Sequence, residues 1–288
     1  MENIVFNTVW DWQIALEMTF LAVASFATLF AYLSYKEGAI RDALIGAAVA
    51  AVLPMFSLII LTLHLLKPEA GLLIFLSPQP RSWMLYGGIG MSLLIAFSAL
   101  FAIFVALPAL RIPLVSRLSP LSSSATFMNA LSFLMIATGV FVALYTGFII
   151  SYERGIPFWH SAAVPAIALL MGIAGGSSFY AFIRPADQRV SFTLLFSLAF
   201  LIIFYLAHLL ASLIGGPAAN ASAAKVLGSG LFQVTLLLSV VAVVGLAANM
   251  LWFRTKYIPL IAGAIGLITI FVLRVLLLDA GAWEFPVV

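Results

Sequence analysis

Residues 145–159 read YTGFIISYERGIPFW, and here one strongly apolar segment ends and another begins. The break is the Gly-Ile-Pro sequence at 155–157, since glycine and proline interrupt regular structure. Tyr145 stays inside the apolar segment, whereas Glu153 and Arg154 stand at its edge. A polar rim above a buried phenol is typical of a site close to a membrane surface.

The composition places most of the chain in lipid. Hydrophobic residues make up 65% of the 288 residues, charged residues only 8%, and the mean hydropathy is +1.22. A soluble domain carries about 25% charged residues. The chain has no cysteine, which excludes disulfides and thiolate-held metal or iron–sulfur centres within it. With only three histidines besides, we expect no metal site.

Apolar runs of about 20 residues predict membrane-spanning helices, because about 20 residues at 1.5 Å each cross a hydrocarbon core of about 30 Å. The predicted spans are residues 12–33, 43–66, 83–107, 126–151, 162–183, 192–214, 231–252 and 258–278. The longest connections are 67–82, which includes a short interfacial segment at 72–76, 108–125 and 215–230. We therefore predict an all-α, polytopic bundle of eight transmembrane helices that forms one integral-membrane domain, residues 1–288.

Basic residues in the connections predict the orientation, because short cytoplasmic loops are enriched in Lys and Arg. The odd-numbered loops hold Lys36, Arg41, Arg111, Arg117, Arg184, Arg189, Arg254 and Lys256, and the even-numbered loops hold Lys67, Arg81, Arg154 and Lys225. The odd-numbered loops should therefore be cytoplasmic and both termini outside. We expect a multi-pass protein of the cytoplasmic membrane.

With this orientation, the ionisable side chains inside the spans all fall in the outer half. They are Glu17, His64, Tyr145, His208 and Arg274. A carboxylate in lipid is costly and faces the interior of a bundle, so function is the default hypothesis for Glu17. The alternative is a structural ion pair between Glu17 and Arg274.

The two histidines inside the spans have competing interpretations. His64 and His208 either form hydrogen bonds to a ligand oxygen or act as axial ligands of one b-type haem. Each is equally consistent with a purely structural role. A span with two haems needs four histidines, which the chain lacks.

Aromatic and glycine residues add structural expectations. Tyr145 is either an aromatic-belt residue or, with the small residues that follow it, part of a pocket. The indoles of Trp10, Trp12, Trp83 and Trp159 fit an outer aromatic belt. The pairs at 87–88 and 175–176, Gly-Gly in both cases, favour close helix packing over ligand contact.

Four segments together resemble the NrfD/PsrC family, the membrane subunits of formate-dependent nitrite reductase and polysulfide reductase. They are 9–17 (VWDWQIALE), 77–84 (SPQPRSWM), 145–161 (YTGFIISYERGIPFWHS) and 273–283 (LRVLLLDAGAW). Their order is that of the family, and the similarity runs across nearly the whole chain. All four fall at the end of the bundle predicted to face outward.

The resemblance implies a subunit without haem or iron–sulfur cluster that binds a quinone, menaquinone-type or ubiquinone, near the outer surface. Electrons would pass between this quinone and an iron–sulfur subunit, and a molybdopterin subunit would act on the terminal substrate. The chain would then belong to an oxidoreductase complex without being catalytic for that substrate alone. The resemblance leaves open whether such complexes form dimers. The loops 67–82 and 152–160 are the predicted docking surface for the partner.

The resemblance also suggests site residues. Tyr145 falls where the family has a quinone-contacting tyrosine, and Glu17 falls where polysulfide reductase has a histidine and other members a tyrosine. Residues 22–25 (AVAS) replace paired glycines common in the family. We predict Glu17 as the proton-transferring residue. The predicted quinone contacts are Trp12, Gln13, Glu17, His64, Tyr145, His208 and Arg274.

Three alternatives remain open at this point. In a proton-coupled small-molecule transporter, Glu17 and Arg274 would form the substrate or proton site. Transporters more often carry repeated halves with helices broken at mid-membrane, and no such repeat is evident. A single-haem b-type cytochrome anchor is the second alternative, and a purely structural anchor is the third.

Overall fold

Ten α-helices and one short two-stranded sheet make up the computed structural model, which describes residues 4–64, 82–109 and 119–284. Eight helices are long and apolar enough to cross a membrane, which confirms the predicted spans to within four residues at every end. They are α1 (Trp12–Lys36), α2 (Ile40–His64), α3 (Trp83–Ala106), α5 (Ala125–Ser151), α6 (Ala163–Ile183), α7 (Gln188–Leu213), α9 (Gly230–Ala248) and α10 (Tyr257–Asp279). A π-helical turn, Asn249–Phe253, extends α9. The predicted interfacial segment 72–76 lies outside the described residues.

Several helix starts follow from local chemistry. The side chains of Asp11, Ser124 and Asp187 precede α1, α5 and α7, and each accepts a hydrogen bond from a backbone N–H of the first turn. Such caps satisfy donors that have no partner within the helix. Inside the spans, hydroxyls bond back to their own helix, as Thr19 does to the carbonyl of Ala15 and Ser25 to that of Leu21. These polar side chains therefore need no water in the apolar layer.

Helix α1 is the centre of the bundle. Of its most apolar stretch 83% is buried, against 28% for α9 at the periphery. It packs against α2, α5, α6 and α10. On α6, the absence of a side chain at Gly175 and Gly176 lets that helix approach the α1 backbone at Ala22 and Phe26. The close contact that paired glycines on the first helix would permit is thus provided by the glycines of α6.

Two short helices lie in the connections. Residues 119–123 form α4 (Ser119–Ser123), and residues 217–228 form α8 (Pro217–Gly228). The predicted connection at 215–230 thus contains a helix that the sequence analysis did not predict. Proline at the first helical position and a run of alanines favour the helix, but its 12 residues are too few to span the membrane.

The chain termini meet at one end of the bundle, which we call the site end; it holds the start of α1 and the ends of α2, α5, α7 and α10. Strand β1 (Val5–Phe6) pairs antiparallel with β2 (Ala282–Trp283). The Asn7 amide donates to the carbonyl of Leu278, and the backbone N–H of Asn7 donates to that of Gly281. Lys225 of α8 lies 3.0 Å from an Asp279 carboxylate oxygen and over the Phe6 ring. The two terminal segments therefore form one cap on the bundle.

The opposite end is closed by ion pairs. Arg184 contacts Glu37 at 2.6 Å, Asp42 at 3.4 Å and Asp187 at 3.4 Å. Arg189 also pairs with Glu37. These residues join the α1–α2 turn to the α6–α7 turn.

One of the predicted belt tryptophans is a core residue. Trp159 is 1% exposed, its indole N–H donates to the Leu277 carbonyl at 2.7 Å, and its ring packs 5.7 Å from that of Trp10. The prediction was wrong because the loop after α5 folds back over the bundle instead of lying along the membrane surface. Trp12, by contrast, is 55% exposed.

Candidate functional site

Three of the predicted site residues come together in one layer below the site end. Glu17 lies five residues after the start of α1, Arg274 five before the end of α10, and Tyr145 six before the end of α5. At 1.5 Å per residue, all three are about 7–9 Å below the helix ends. Their exposed fractions are 4%, 2% and 4%, so the three side chains are buried inside the bundle.

The three side chains are electrostatically coupled without forming a contact ion pair. Glu17 interacts with the charge of Arg274, and Tyr145 with that of Glu17. Among the described residues, no carboxylate oxygen of Glu17 lies within 4.0 Å of an Arg274 nitrogen, since the salt bridges found there join other groups. The expected direct ion pair is therefore absent. Arg274 instead directs Nη2 at the Thr146 hydroxyl, 3.4 Å away on α5.

Part of the hydrogen-bonding capacity of this layer is unused within the described chain. Arg274 Nε is buried and has no partner there. The hydroxyl of Ser57 on α2 donates to the backbone carbonyl of Glu17 at 3.1 Å. No described side chain donates to the Glu17 carboxylate. Buried polar groups are nearly always satisfied in proteins. A layer with an open carboxylate and an open guanidinium N–H suits a ligand that supplies both a donor and an acceptor.

The ring of Tyr145 packs against Gly87 of α3. A Cβ added at Gly87, four residues after the start of α3, would overlap the end of the phenol ring and its hydroxyl. The sequence favoured close helix packing as the reason for this glycine, and its neighbour is indeed a side chain of the adjacent helix α5. Thr146 and Ser57 are further residues of the layer that were not predicted as contacts. Thr146 is one of the small residues after Tyr145 that favoured a pocket, whereas nothing in the pattern singles out Ser57, because neutral hydroxyls are common inside the spans.

His208 is buried close to this end but has other neighbours. Its ring is 4.8 Å from that of Phe158, the Phe158 backbone is within hydrogen-bond reach of the imidazole, and Nε2 has no partner among the described residues. Phe158 belongs to the same folded-back loop as Trp159. This loop therefore forms a wall beside His208.

His64 and Gln13 lie at the rim, above the buried layer. The two ring nitrogens of His64 are 3.2 Å from the Gln13 side-chain oxygen and 3.1 Å from the Val9 carbonyl. His64 ends α2, whereas Ser57 of the same helix lies at the depth of Glu17. His64 therefore lies at the same end of the bundle as Glu17 and Tyr145 but closer to the surface. His160, the third histidine, is exposed.

The two histidines inside the spans have different neighbours. His64 contacts the segment before α1 and its first turn, while His208 contacts the loop after α5. In residues 4–64, 82–109 and 119–284, no cluster of three or more His, Asp or Glu side chains is arranged to hold a metal ion. Aromatic side chains, by contrast, are abundant at this end, where Trp83 stacks on Phe148 at 5.2 Å.

Comparison with known families identifies the chain. No curated protein matches it. The profile of the family described as polysulphide reductase, NrfD, matches residues 2–286 and so covers essentially the whole sequence. Proteins of this family are membrane subunits of polysulfide-reductase-like complexes, and the eight apolar helices agree with a multi-pass membrane protein. The chain therefore belongs to the NrfD (polysulphide reductase) family.

Proposed function

We propose that this chain is the membrane-anchor subunit of a respiratory molybdopterin oxidoreductase complex of the polysulfide- or sulfur-reductase type. In this proposal it binds quinone or quinol at the site end and exchanges electrons with an iron–sulfur partner subunit. The observation that carries the proposal is the buried layer of Glu17, Tyr145 and Arg274, whose open polar groups lie about 7–9 Å below the bundle end. Membership of the NrfD family supports the partner class.

The chemistry of a quinone fits the residues present. A quinone head has two oxygens that accept hydrogen bonds and, once reduced, donate them. The guanidinium of Arg274 and the phenol of Tyr145 are donors, and the carboxylate of Glu17 is an acceptor. Apolar walls are what a ligand with a hydrocarbon ring requires, and small-molecule sites are mostly apolar with a few placed polar groups.

Each residue has a proposed role. Glu17 holds or accepts the proton of a quinol hydroxyl, because a carboxylate in hydrogen-bond reach is a general base. Arg274 and Tyr145 orient the head through hydrogen bonds. Thr146 fixes Arg274 through the 3.4 Å contact. A bound quinol supplies two electrons and two protons. His208 stays a candidate second contact, since its Nε2 is open.

The proposed partner surface is the site end itself. Residues 152–160 and the terminal cap form its described part, with Tyr152 57% and Val9 64% exposed. The other predicted docking loop, 67–82, lies almost entirely outside the described residues. A cluster docked on this cap would be separated from the Glu17 layer by only about two helical turns.

Purification of the native complex in mild detergent tests the proposal. Mass spectrometry, a visible spectrum and quinone extraction are applied to the same sample. Co-purified iron–sulfur and molybdopterin subunits, with extractable quinone and no haem band from this chain, are the expected result. A chain that purifies alone and without quinone would contradict the proposal and favour the transporter. A haem band assigned to this chain would favour the cytochrome anchor.

A further inference from the structure

The Tyr145 ring packs directly against Gly87 of α3. The distal part of the ring, comprising Cζ, Cε2 and the hydroxyl, is the nearest group to the position where a Cβ on residue 87 would stand. Both residues are buried. A side chain at position 87 and the present position of the phenol therefore exclude each other.

Gly90, another glycine of the same helix, offers a natural comparison. A Cβ at Gly90 would lie 2.6 Å and 2.7 Å from two ring atoms of Phe141, one turn before Tyr145 on α5. Phe141 is 39% exposed on the lipid side, so its ring has room to move away. Tyr145 is 4% exposed and surrounded by the bundle. An alanine at position 90 can therefore be accommodated by movement of the Phe141 ring, whereas the buried Tyr145 ring cannot move out of the bundle to accommodate an alanine at position 87.

Displacement of the phenol has a defined consequence. Tyr145 lies within electrostatic reach of Glu17, which faces the same layer from α1. A ring pushed off α3 has only the interior of the bundle to enter, where Glu17 and Arg274 are buried. Glycine is less favourable than alanine in a helix interior, so the absence of a side chain here is not explained by helix stability.

We propose that Gly87 is a positioning residue that sets the depth of the Tyr145 hydroxyl and keeps open the space in which the quinone head binds. This inference rests on the proposed quinone function. It assigns to α3 a share in a site whose ionisable groups come from α1, α5 and α10. Gly87 acts through Tyr145 and needs no contact with the ligand itself.

The test compares Gly87→Ala with Gly90→Ala and Tyr145→Phe in the native complex. The dissociation constants of menadione and decylubiquinone are measured by quenching of tryptophan fluorescence, and assembly by subunit co-purification. We expect Gly87→Ala to weaken binding at least tenfold and Gly90→Ala to change it less than twofold, with both variants assembled. Unchanged binding in assembled Gly87→Ala, or equal weakening by Gly90→Ala, would overturn the positioning role.

Two further variants separate the ways in which the idea can fail. If neither probe binds the unaltered complex, or if binding does not respond to Tyr145→Phe or to Tyr145→Leu, the proposed quinone site is at fault. If Tyr145→Phe or Tyr145→Leu weakens binding while assembled Gly87→Ala does not, only the inference about Gly87 is at fault. Should Gly87→Ala fail to assemble, the double variant Gly87→Ala/Tyr145→Leu is measured, because leucine lacks the ring atoms that overlap. Recovered assembly supports the contact between the two residues, and unrecovered assembly overturns it.

Discussion

At the scale of single residues, the unusual feature is a carboxylate and a guanidinium buried at the same depth but not in contact. Each is at most 4% exposed, and no direct Glu17–Arg274 pair within 4.0 Å is found in the described chain. In a close ion pair, the two groups would use part of their hydrogen-bonding capacity on each other. Separation leaves each of them able to bond a third group, which is the property that a ligand site needs.

Replacement of Glu17 by glutamine keeps its size but removes its ability to take up a proton. We expect quinol-linked turnover of the complex to fall by about 10²-fold, the lower part of the range for general acid–base groups. Assembly should stay intact. The control is Glu284→Gln, which makes the same change at an exposed position of the site end. Normal turnover in Glu17→Gln would leave Glu17 as a structural residue.

Replacement of Arg274 by methionine tests whether the two charges stabilise each other across the layer. Loss of one member of a close buried pair costs about 3–5 kcal/mol, whereas loss of both is often neutral. Because Glu17 and Arg274 are not in contact, we expect Arg274→Met to lower the free energy of unfolding by about 3 kcal/mol or less. The midpoint of thermal unfolding should recover in part in Glu17→Gln/Arg274→Met.

The midpoints of thermal unfolding of the unaltered protein, of Glu17→Gln, of Arg274→Met and of the double variant form a double-mutant cycle. Arg154→Met is the control for loss of a charge at an exposed position. Additive losses in the double variant would mean that Glu17 and Arg274 are independent.

At the scale of elements, the loop after α5 determines how the site end is closed. Phe158 and Trp159 turn inward, so this loop lines the bundle beside His208 and bonds to the end of α10 through Leu277. The N-terminal and C-terminal segments then cover it through the β1–β2 pair and Asn7. The helices alone would leave this end open.

Trp159→Phe isolates one link in that closure. Phenylalanine keeps an aromatic ring but leaves the buried Leu277 carbonyl without the indole N–H. An unsatisfied buried acceptor costs about 1–3 kcal/mol, so we expect a lower unfolding temperature and faster proteolysis of the terminal segments. Trp12→Phe, at a 55% exposed position, is the matched control and should have little effect. Equal behaviour of the two variants would contradict the core role of Trp159.

At the scale of the whole molecule, one end carries the candidate site and the other carries an ion-pair network. The described basic residues Lys36, Arg41, Arg184, Arg189, Arg254 and Lys256 lie at the ion-pair end, and Arg154 and Lys225 at the site end. The positive-inside rule then predicts that the site end faces away from the cytoplasm.

Labelling of single introduced cysteines tests this orientation. Because the chain has no native cysteine, any label on it reports the introduced residue. Ala224→Cys, on α8 at the site end and outside the proposed docking loop, should react in intact cells with a membrane-impermeant maleimide. Ser123→Cys at the other end should react only after permeabilisation. Both positions are exposed. The reverse pattern would invert the topology and place the partner subunits in the cytoplasm.

The sequence by itself determined the eight spans, because about 20 apolar residues are both necessary and sufficient to cross a bilayer as a helix. It also determined which ionisable residues share an end, since depth along a helix follows from residue count. The tertiary structure decided lateral position. Helix packing decides that Glu17, Tyr145 and Arg274 come together while His64 stays at the rim, and that Gly87 of α3 faces the Tyr145 ring of α5. Those outcomes depend on how each helix is rotated and on which neighbours it has, and a uniformly apolar span carries little record of its rotation.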